Sequence, residues 1–464
     1  MLSKQTYLNR RNELKKSFNE GILLFPGNEE SSMNYLDNTY HFRQDSSFLY
    51  YFGLNQPGLT GIIDLDEKKD IVFGDDLTID HIVWMGAQPT IAERAAKAGV
   101  EDTMNNTSLE EYLRNANKKG RKIHFLPPYR PEHELKLFRW LGIHPSEAAK
   151  KSSIELTTAV AEQRNIKSEE EIALIEDAVN TTVKMHQAAM RYARPGMTEA
   201  QVAAKVHEVA LAAGGNISFP IIATINGQTL HNHYHGNTIK EGDLFLLDAG
   251  AENTEMYAGD MSSTFPVSPG FTDRQKDIYQ VALNAHEAAI AALKPGVKFR
   301  DVHLLAAKTV VQGMKDLGFM KGNVDDAVAA GAHAMFFPCG LGHMMGMDVH
   351  DMENLGEEIV GYGGEAKSTQ FGLKSLRLGR ALKPGYILTI EPGVYFIPEL
   401  IDLWKSEKRH QDFLNYDKIE SYKDFGGTRN EEDVLITDEG HRILGEPLAK
   451  TINEVEEERK KAFQ

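Results

Sequence analysis

The sequence predicts a modest α/β domain followed by a larger α+β domain with an internal repeat, and three observations lead there. From residue 1 to about 160, short apolar runs alternate with charged helical stretches, the βα alternation of an α/β unit. From about residue 165 onward, a unit of helix, Pro-Gly and helix occurs twice, which points to internal duplication. Strand-like pieces lie between and after those units without regular βα alternation, so the second domain reads as α+β. The predicted domains are 1–160 and 165–464.

In the first domain GILLF, GIIDL, DIVFG and KIHFL are the strands, and NRRNELKKSF and SLEEYLRNANKKG are helices. In the second, Ser168 opens a helix with Glu171 three residues on, a capping-box spacing, and ARPGMTEAQ breaks it before another helix. DRQKDIYQVALNAHEAAIAALKPGVKFRDVHLL repeats the design, breaking at KPG. SFPIIATI, DLFLLDAG, DMSSTFPV, YILTIEPGVYFI and DVLIT read as strands. GYGGEAKSTQFG and KSEKRHQDFLNYDKIESYKDFGG read as long surface insertions, which in a compact domain are often functional.

Composition narrows the function classes. With 41% hydrophobic and 25% charged residues, the 464-residue chain has ordinary globular usage, which excludes a disordered or low-complexity protein. Its 67 acidic against 51 basic residues leave a net charge of −16, a field that repels phosphate backbones and anionic lipid, so nucleic acid is not an expected partner. The single cysteine, Cys339, cannot form an intrachain disulfide. The charged opening MLSKQTYLNRRNELKKSFNE is not a signal peptide, and no run approaches the roughly 18 apolar residues of a membrane span. A cytoplasmic protein without a membrane partner is expected.

The segment LFLLDAGAENTEMYAGDMSSTF carries the most information about chemistry. Two predicted strands flank AENTE and each bears an aspartate, Asp248 and Asp260. With a hairpin centred near Thr254 the two face each other, roughly 5 Å apart between Cβ atoms, where like charges destabilise. A shared proton or divalent cations would neutralise them. His343 in the glycine-rich CGLGHMMGMDVHD, Glu391 after YILTI and Glu431 before VLIT also sit at strand ends or tight turns. Four carboxylates and one imidazole balance two divalent ions, which together activate water. An oxygen-rich set with one nitrogen suits Mn(II), with Co(II), Zn(II) or Fe(II) as alternatives. Taken singly, an acidic residue at a strand end is usually a solvated turn residue, and these spacings form no compact motif.

The order DAG, YAGD, GLGH followed by DVHD, TIEPGVY and TRNEEDVLIT resembles the Xaa-Pro metallopeptidases, aminopeptidase P and prolidase, across essentially the whole chain. YHFRQDSSFLYYFG and VWMG resemble their non-catalytic first domain, and RNIKSEEEIALI resembles the start of their catalytic domain. The resemblance implies a pita-bread catalytic domain with an internal pseudo-two-fold repeat, preceded by the smaller α/β domain. It implies Asp248, Asp260, His343, Glu391 and Glu431 as metal ligands, with Asp260 and Glu431 bridging both ions. It also implies His350 as a substrate-side imidazole and Arg429 as a guanidinium steadying a ligand carboxylate. One further active-site histidine is expected in LHNHYHGN, where His231, His233 and His235 would share one face of a strand. His233 matches the resemblance best, His231 is the alternative, and His235 reads as a plain polar strand residue. His207, His286 and His303 read as ordinary helix residues. Two departures stand out: Asp248 and Asp260 are one residue further apart than the resemblance suggests, and Cys339 stands where histidine is common. A buried, inert thiol is expected there.

The implied reaction is hydrolysis of the amide between an N-terminal residue and proline. His350 and His233 would hydrogen-bond the developing oxyanion or the proline carbonyl, and Glu391 would shuttle the proton to the leaving nitrogen. Arg377 in LRLGRALKPGYILTIEPG stands where prolidases hold the dipeptide's carboxylate, and the insertion after FIPELID is also prolidase-like; the first domain resembles aminopeptidase P equally. The substrate is therefore a dipeptide or a longer peptide with proline second. A homo-oligomer, dimer or tetramer, is expected from the resemblance. The alternative from another class is a non-catalytic pita-bread module that binds peptide. A metal-free creatinase-like hydrolase and a methionine aminopeptidase are further enzyme readings, and the latter usually lacks so large a first domain.

Overall fold

The computed structural model describes residues 2–464. It divides into two compact units: residues up to Arg164 together with Met352–Ile359, and Asn165–Asp351 together with Val360–Gln464.

The first unit is built on a five-stranded sheet, β1 (Ile22–Pro26), β2 (Thr60–Asp64), β3 (Lys69–Phe73), β4 (Asp102–Met104) and β5 (Ile123–Phe125), in the order β4-β3-β2-β1-β5. The β1/β2 and β2/β3 pairs are antiparallel, while β1/β5 and β3/β4 are parallel. Ile22, Leu24, Ile62, Ile71 and Phe73 are buried with Leu109, Leu113, Ala116 and Leu137, which the helical spacing puts on single stripes. Around the sheet run α1 (Lys4–Lys15), α2 (Ser46–Phe52), α3 (Ile79–Met85), α4 (Ile91–Lys97), α5 (Asn106–Lys118), α6 (Pro131–Leu141), α7 (Pro145–Ala148) and α8 (Ile154–Asn165), the last ending at the division. Strand β4 escapes sequence reading because its three residues, DTM, form no apolar run and stay largely exposed.

The second unit opens with α9 (Glu169–Tyr192), where the Ser168 and Glu171 side chains each cap the other's backbone N–H. After Pro195 and Gly196 comes α10 (Glu199–Ala212), then β6 (Asn216–Ile217), β7 (Ile222–Thr224), β8 (Leu244–Ala249), β9 (Ala251–Glu252) and β10 (Met261–Pro266). The second half repeats the plan with α11 (Asp273–Ala291), Pro295 and Gly296, and α12 (Phe299–Asp316). Then follow α13 (Val324–Ala330), the short α14 (Glu357–Val360), whose first three residues belong to the first unit, β11 (Ile387–Ile390), β12 (Gly393–Tyr395), α15 (Pro398–Ser406), α16 (Tyr416–Glu420), β13 (Gly427–Arg429), β14 (Glu432–Ile436), β15 (His441–Ile443) and α17 (Ile452–Lys460). Two three-stranded antiparallel sheets result, β10-β8-β7 and β11-β14-β15. Ile278, Ala282, Ala285 and Ala289 of α11 and Val302, Ala306 and Val310 of α12 share one core with Leu388, Ile390, Val434 and Ile436.

Matching backbone bonds mark the duplication. The Gly196 N–H donates to the Ile239 carbonyl and the Ile239 N–H to that of Met197, both at 2.8 Å; the Gly296 N–H donates to Leu382 at 2.8 Å and the Leu382 N–H to Val297 at 2.9 Å. Gly196 (φ 91°) and Gly296 (φ 85°) hold left-handed backbone that a Cβ disfavours, which is why both helix pairs break at Pro-Gly. Asp248 and Glu391 stand at matching distances along the chain beyond Ile239 and Leu382, and Asp260 and Glu431 directly precede β10 and β14.

Three expectations need correction. The β8/β10 hairpin is centred on Glu255 rather than Thr254, so Asp248 pairs with Ser262 instead of Asp260, and the Glu252↔Ala258 bridge continues the same register. Residues 231–235 are not a strand but an irregular segment. Of the two predicted insertions, 361–372 is irregular, but 405–427 starts at the end of α15 and includes α16, and its Leu414 and Ile419 are buried in the core, so apolar anchors within a charged stretch tie it down. Among the described residues no helix is long and apolar enough to cross a membrane.

Candidate metal centre

Each acidic residue of the centre is fixed by backbone. Asp248 is on β8, all six residues of which are buried. The Asp260 N–H donates to Asp433 Oδ2 at 3.0 Å. The Glu431 N–H donates to the Ser262 carbonyl at 3.0 Å, and Ser262 Oγ donates to Glu431 Oε2 at 2.6 Å. The Glu391 N–H donates to Leu341 O at 2.8 Å. His343 lies against β11: its N–H donates to Thr389 Oγ1 at 3.2 Å and its carbonyl accepts the Thr389 N–H at 3.0 Å. A Cβ on Gly342 would come within 2.0 Å of the Thr389 carbonyl, so only glycine lets the chain run so close.

Imidazole chemistry sets the tautomer of His343. Its Nδ1 is 3.0 Å from the Met344 carbonyl, which can only accept, so Nδ1 carries the proton and Nε2 keeps its lone pair. That Nε2 is 3.3 Å from Asp260 Oδ2 and 3.6 Å from Glu391 Oε1. One ligand atom from each of Asp260, His343 and Glu431 lies within 4.8 Å of the others, a group able to hold a metal ion.

These side chains open on a cavity of about 590 Å³. Asp248, Asp260, His343, Glu391 and Glu431 all line it, as do His350, Arg429, His231, His233 and Arg377. The His343 and His350 rings meet edge to face, centroids 4.3 Å apart. His235 instead turns to the Ile221 carbonyl at 3.0 Å. Cys339 also lines the cavity; burial, with Glu391 adding to it, pushes its thiol up to about 12, away from the reactive thiolate. His286 and His303 are fully buried on α11 and α12.

Burial lifts every carboxylate of the group: Asp248 to about 7, Asp260 to about 6, and Glu391 and Glu431 upward, the last also through the charges of Asp260, Glu391 and Asp248. Arg429 opposes this at Asp248, to which its Nη2 donates, while its Nε donates to Ser262 Oγ at 2.8 Å and its Nη1 to the Tyr395 hydroxyl at 3.0 Å. Asp260 Oδ1 is buried with no hydrogen-bond partner. An oxygen-rich set with an orphaned oxygen and carboxylates held near protonation is short of positive charge, and divalent cations fit it.

Sequence reasoning missed Ser262, Asp433 and Tyr395. Ser262 becomes visible only once the register pairs it with Asp248. Asp433 sits within an apolar strand, and Tyr395 on the three-residue β12 gives no periodic signal.

The profile of metallopeptidase family M24 matches residues 173–438, more than half of the chain and every acidic residue of the centre. The chain belongs to metallopeptidase family M24. As an M24 member it is a hydrolase that uses divalent metal. The aminopeptidase P N-terminal domain matches residues 7–124. A human relative named Xaa-Pro dipeptidase is 30% identical over 94% of this chain and 88% of its own length. A Metarhizium robertsii relative named probable Xaa-Pro aminopeptidase is 29% identical over 94% and 90%. Zinc-substituted Escherichia coli aminopeptidase P with product superposes with a TM-score of 0.82 at 27% identity, covering 99% of both chains. Pseudomonas aeruginosa aminopeptidase PepP gives a TM-score of 0.82 at 26% identity, covering 100% of this chain and 99% of its own. These M24 peptidase relatives set aside the non-catalytic binding module.

Proposed function

We propose that this M24 enzyme hydrolyses the amide between an N-terminal residue and a following proline, using two divalent ions held by Asp248, Asp260, His343, Glu391 and Glu431. The convergence of four buried or half-buried carboxylates and one imidazole, drawn from both halves of the repeat onto one cavity, carries this reading. Asp260 and Glu431 would be the carboxylates shared by both ions, a role that their closeness to each other and to His343 supports. The donor set favours Mn(II), with Co(II), Zn(II) or Fe(II) as alternatives. Bound there, divalent ions supply Lewis-acid polarisation of the scissile carbonyl and a water that loses its proton near neutral pH.

The side chains perform the rest. Glu391 takes the water's proton on a carboxylate oxygen and returns it to the proline nitrogen, whose release requires it. His350 donates a hydrogen bond to the carbonyl oxygen as it gains charge, and His233 and His231, which line the same cavity, bind substrate. Partial burial, and then the charges of Arg429 and Arg377, hold His231 below the ordinary imidazole range, which favours its neutral form. Arg429 steadies Asp248. Proline's tertiary amide offers no N–H, so recognition falls to ring shape, which the apolar wall of Phe219, Ile222, Val349 and Phe371 suits.

Arg377 in the same wall favours a substrate with a nearby free carboxylate, the Xaa-Pro dipeptide; trimming of longer peptides is the second reading, supported by the match to the aminopeptidase P first domain. Incubating manganese-loaded protein with an Xaa-Pro dipeptide and an Xaa-Pro-Yaa tripeptide separates them, and cleavage of neither refutes both. The enzyme works as a cytoplasmic homo-oligomer, dimer or tetramer. Its support is the lone cysteine and the exposed Ile79, Val83, Trp84 and Met85 of α3, a helix with no buried residue. Sedimentation as a monomer at assay concentration counts against assembly.

A further inference from the structure

The ion pair between Lys167 Nζ and Asp351 Oδ2, 2.9 Å long with both side chains 1% exposed, lies apart from the metal centre and belongs to no step above. Burying two charges so completely costs more than a surface pair gains back, so stability alone is a poor reason for it. Its surroundings suggest another. Asp351 closes a turn that begins at His343: the Asp351 N–H donates to the Met344 carbonyl at 2.9 Å, which folds His350 back onto the His343 ring. The Asp351 carboxylate fills the inside of that turn. A Cβ on Gly346 would lie 2.4 Å from Asp351 Oδ2, so the backbone wraps the carboxylate closely.

Lys167 ties this turn to the rest of the unit. Its own N–H donates to the Gly385 carbonyl at 2.9 Å, just ahead of β11, whose Thr389 grips His343. The turn is docked on the same strand, with the Met345 N–H donating to Ile387 O at 2.9 Å, and on the segment before Asp260, with the Ala258 N–H donating to Gly346 O at 3.0 Å. Backbone contacts to other segments therefore hold the start of the turn, while its end, which carries His350, is held by the Asp351 N–H within the turn and by the ammonium of Lys167 from outside it.

We propose that Lys167 is a positioning residue for His350, acting through the Asp351 carboxylate to keep that imidazole against His343 and facing the cavity. The proposal rests on the reading of His350 as a substrate-side imidazole. A single substitution would strand a buried charge and risk misfolding, so the pair is removed together as Lys167→Met with Asp351→Asn, which keeps the turn's polar side chain. With kcat and KM measured on an Xaa-Pro peptide, kcat falls about ten- to hundredfold, the loss expected when a reacting group shifts by about 1 Å. KM, manganese affinity by calorimetry and the melting temperature stay close to wild type. Adding His350→Ala to the pair lowers kcat no further than His350→Ala alone, since groups acting as a unit are not additive. In the metal-free protein labelled with 15N-histidine, the His350 signals, assigned through His350→Ala, broaden or move in the paired variant. Wild-type kcat in the paired variant beside an impaired His350→Ala overturns the positioning role alone. Fully additive losses overturn it as well, and an unimpaired His350→Ala overturns both the role of His350 and the pin.

Discussion

Replacing Ser262 by alanine tests how the centre is held. Ser262 Oγ donates to Glu431 at 2.6 Å and accepts from Arg429 Nε at 2.8 Å, so one hydroxyl joins a metal-facing carboxylate to the guanidinium that also grips Asp248. Hydrogen bonds to charged groups are worth about 1.5–3 kcal/mol each, and a buried donor left unpaired costs about 1–3 kcal/mol. The two consequences are separable. Without metal, Arg429 keeps its bonds to Tyr395 and Asp248, so the fold loses the partner of one Nε and the bond to Glu431, about 2.5–6 kcal/mol in urea unfolding with chelator present. With metal, Glu431 loses the partner that orients it, and manganese affinity falls about 10- to 100-fold, the usual effect of removing a group behind a ligand. At saturating manganese most of kcat returns. Titration calorimetry and unfolding of both proteins measure the two quantities, and an unchanged dissociation constant for Ser262→Ala refutes the reasoning.

Asp260→Ala is expected to abolish turnover on dipeptide and tripeptide alike. In chelator the variant should be at least as stable as wild type, because it removes a buried oxygen without a partner; retained activity contradicts the assignment. Arg377→Met should raise KM for an Xaa-Pro dipeptide about 10- to 100-fold through loss of charge-assisted bonds, with little effect on an amidated dipeptide; equal effects on both would remove its carboxylate role. Burial holds His303 and His286 down at about 3, against about 6.5 unfolded, so both are neutral in the native state. The unfolded chain therefore binds their protons first. Their contribution to stability is complete above pH 6.5 and is lost as pH falls toward 3. The site carboxylates, raised by burial, act in the opposite sense without metal, so the measurable quantity is the difference between wild type and His303→Phe. That difference should shift toward the variant on acidification from pH 7 to 4.5, and a pH-independent difference would count against a neutral buried His303.

Much of the architecture was legible because it follows from local chemistry. Ser168 with Glu171 and the two Pro-Gly breaks act within a few residues, so helix starts and stops could be read directly, and their recurrence disclosed the repeat. The strands ILLFP, LFLLDA and ILTI are continuous apolar runs because each is buried along its whole length or nearly so. In the hairpin at 248–260 the turn centres on Glu255, one residue beyond the position the sequence suggests, and a one-residue shift of the centre moves the partner of Asp248 by two residues, from Asp260 to Ser262.

By itself the sequence determined which residue types were available to the centre and in what order, because the carboxylates stand at the ends of predicted strands and His343 stands in a glycine-rich turn. Only the tertiary structure decided the partnerships: Ser262 with Glu431, Tyr395 with Arg429, Asp433 with the Asp260 N–H, and Lys167 with Asp351. Each joins residues far apart in the chain. The free energy of bringing them together is supplied by the core of the whole unit rather than by any local propensity, and so no window of sequence contains it.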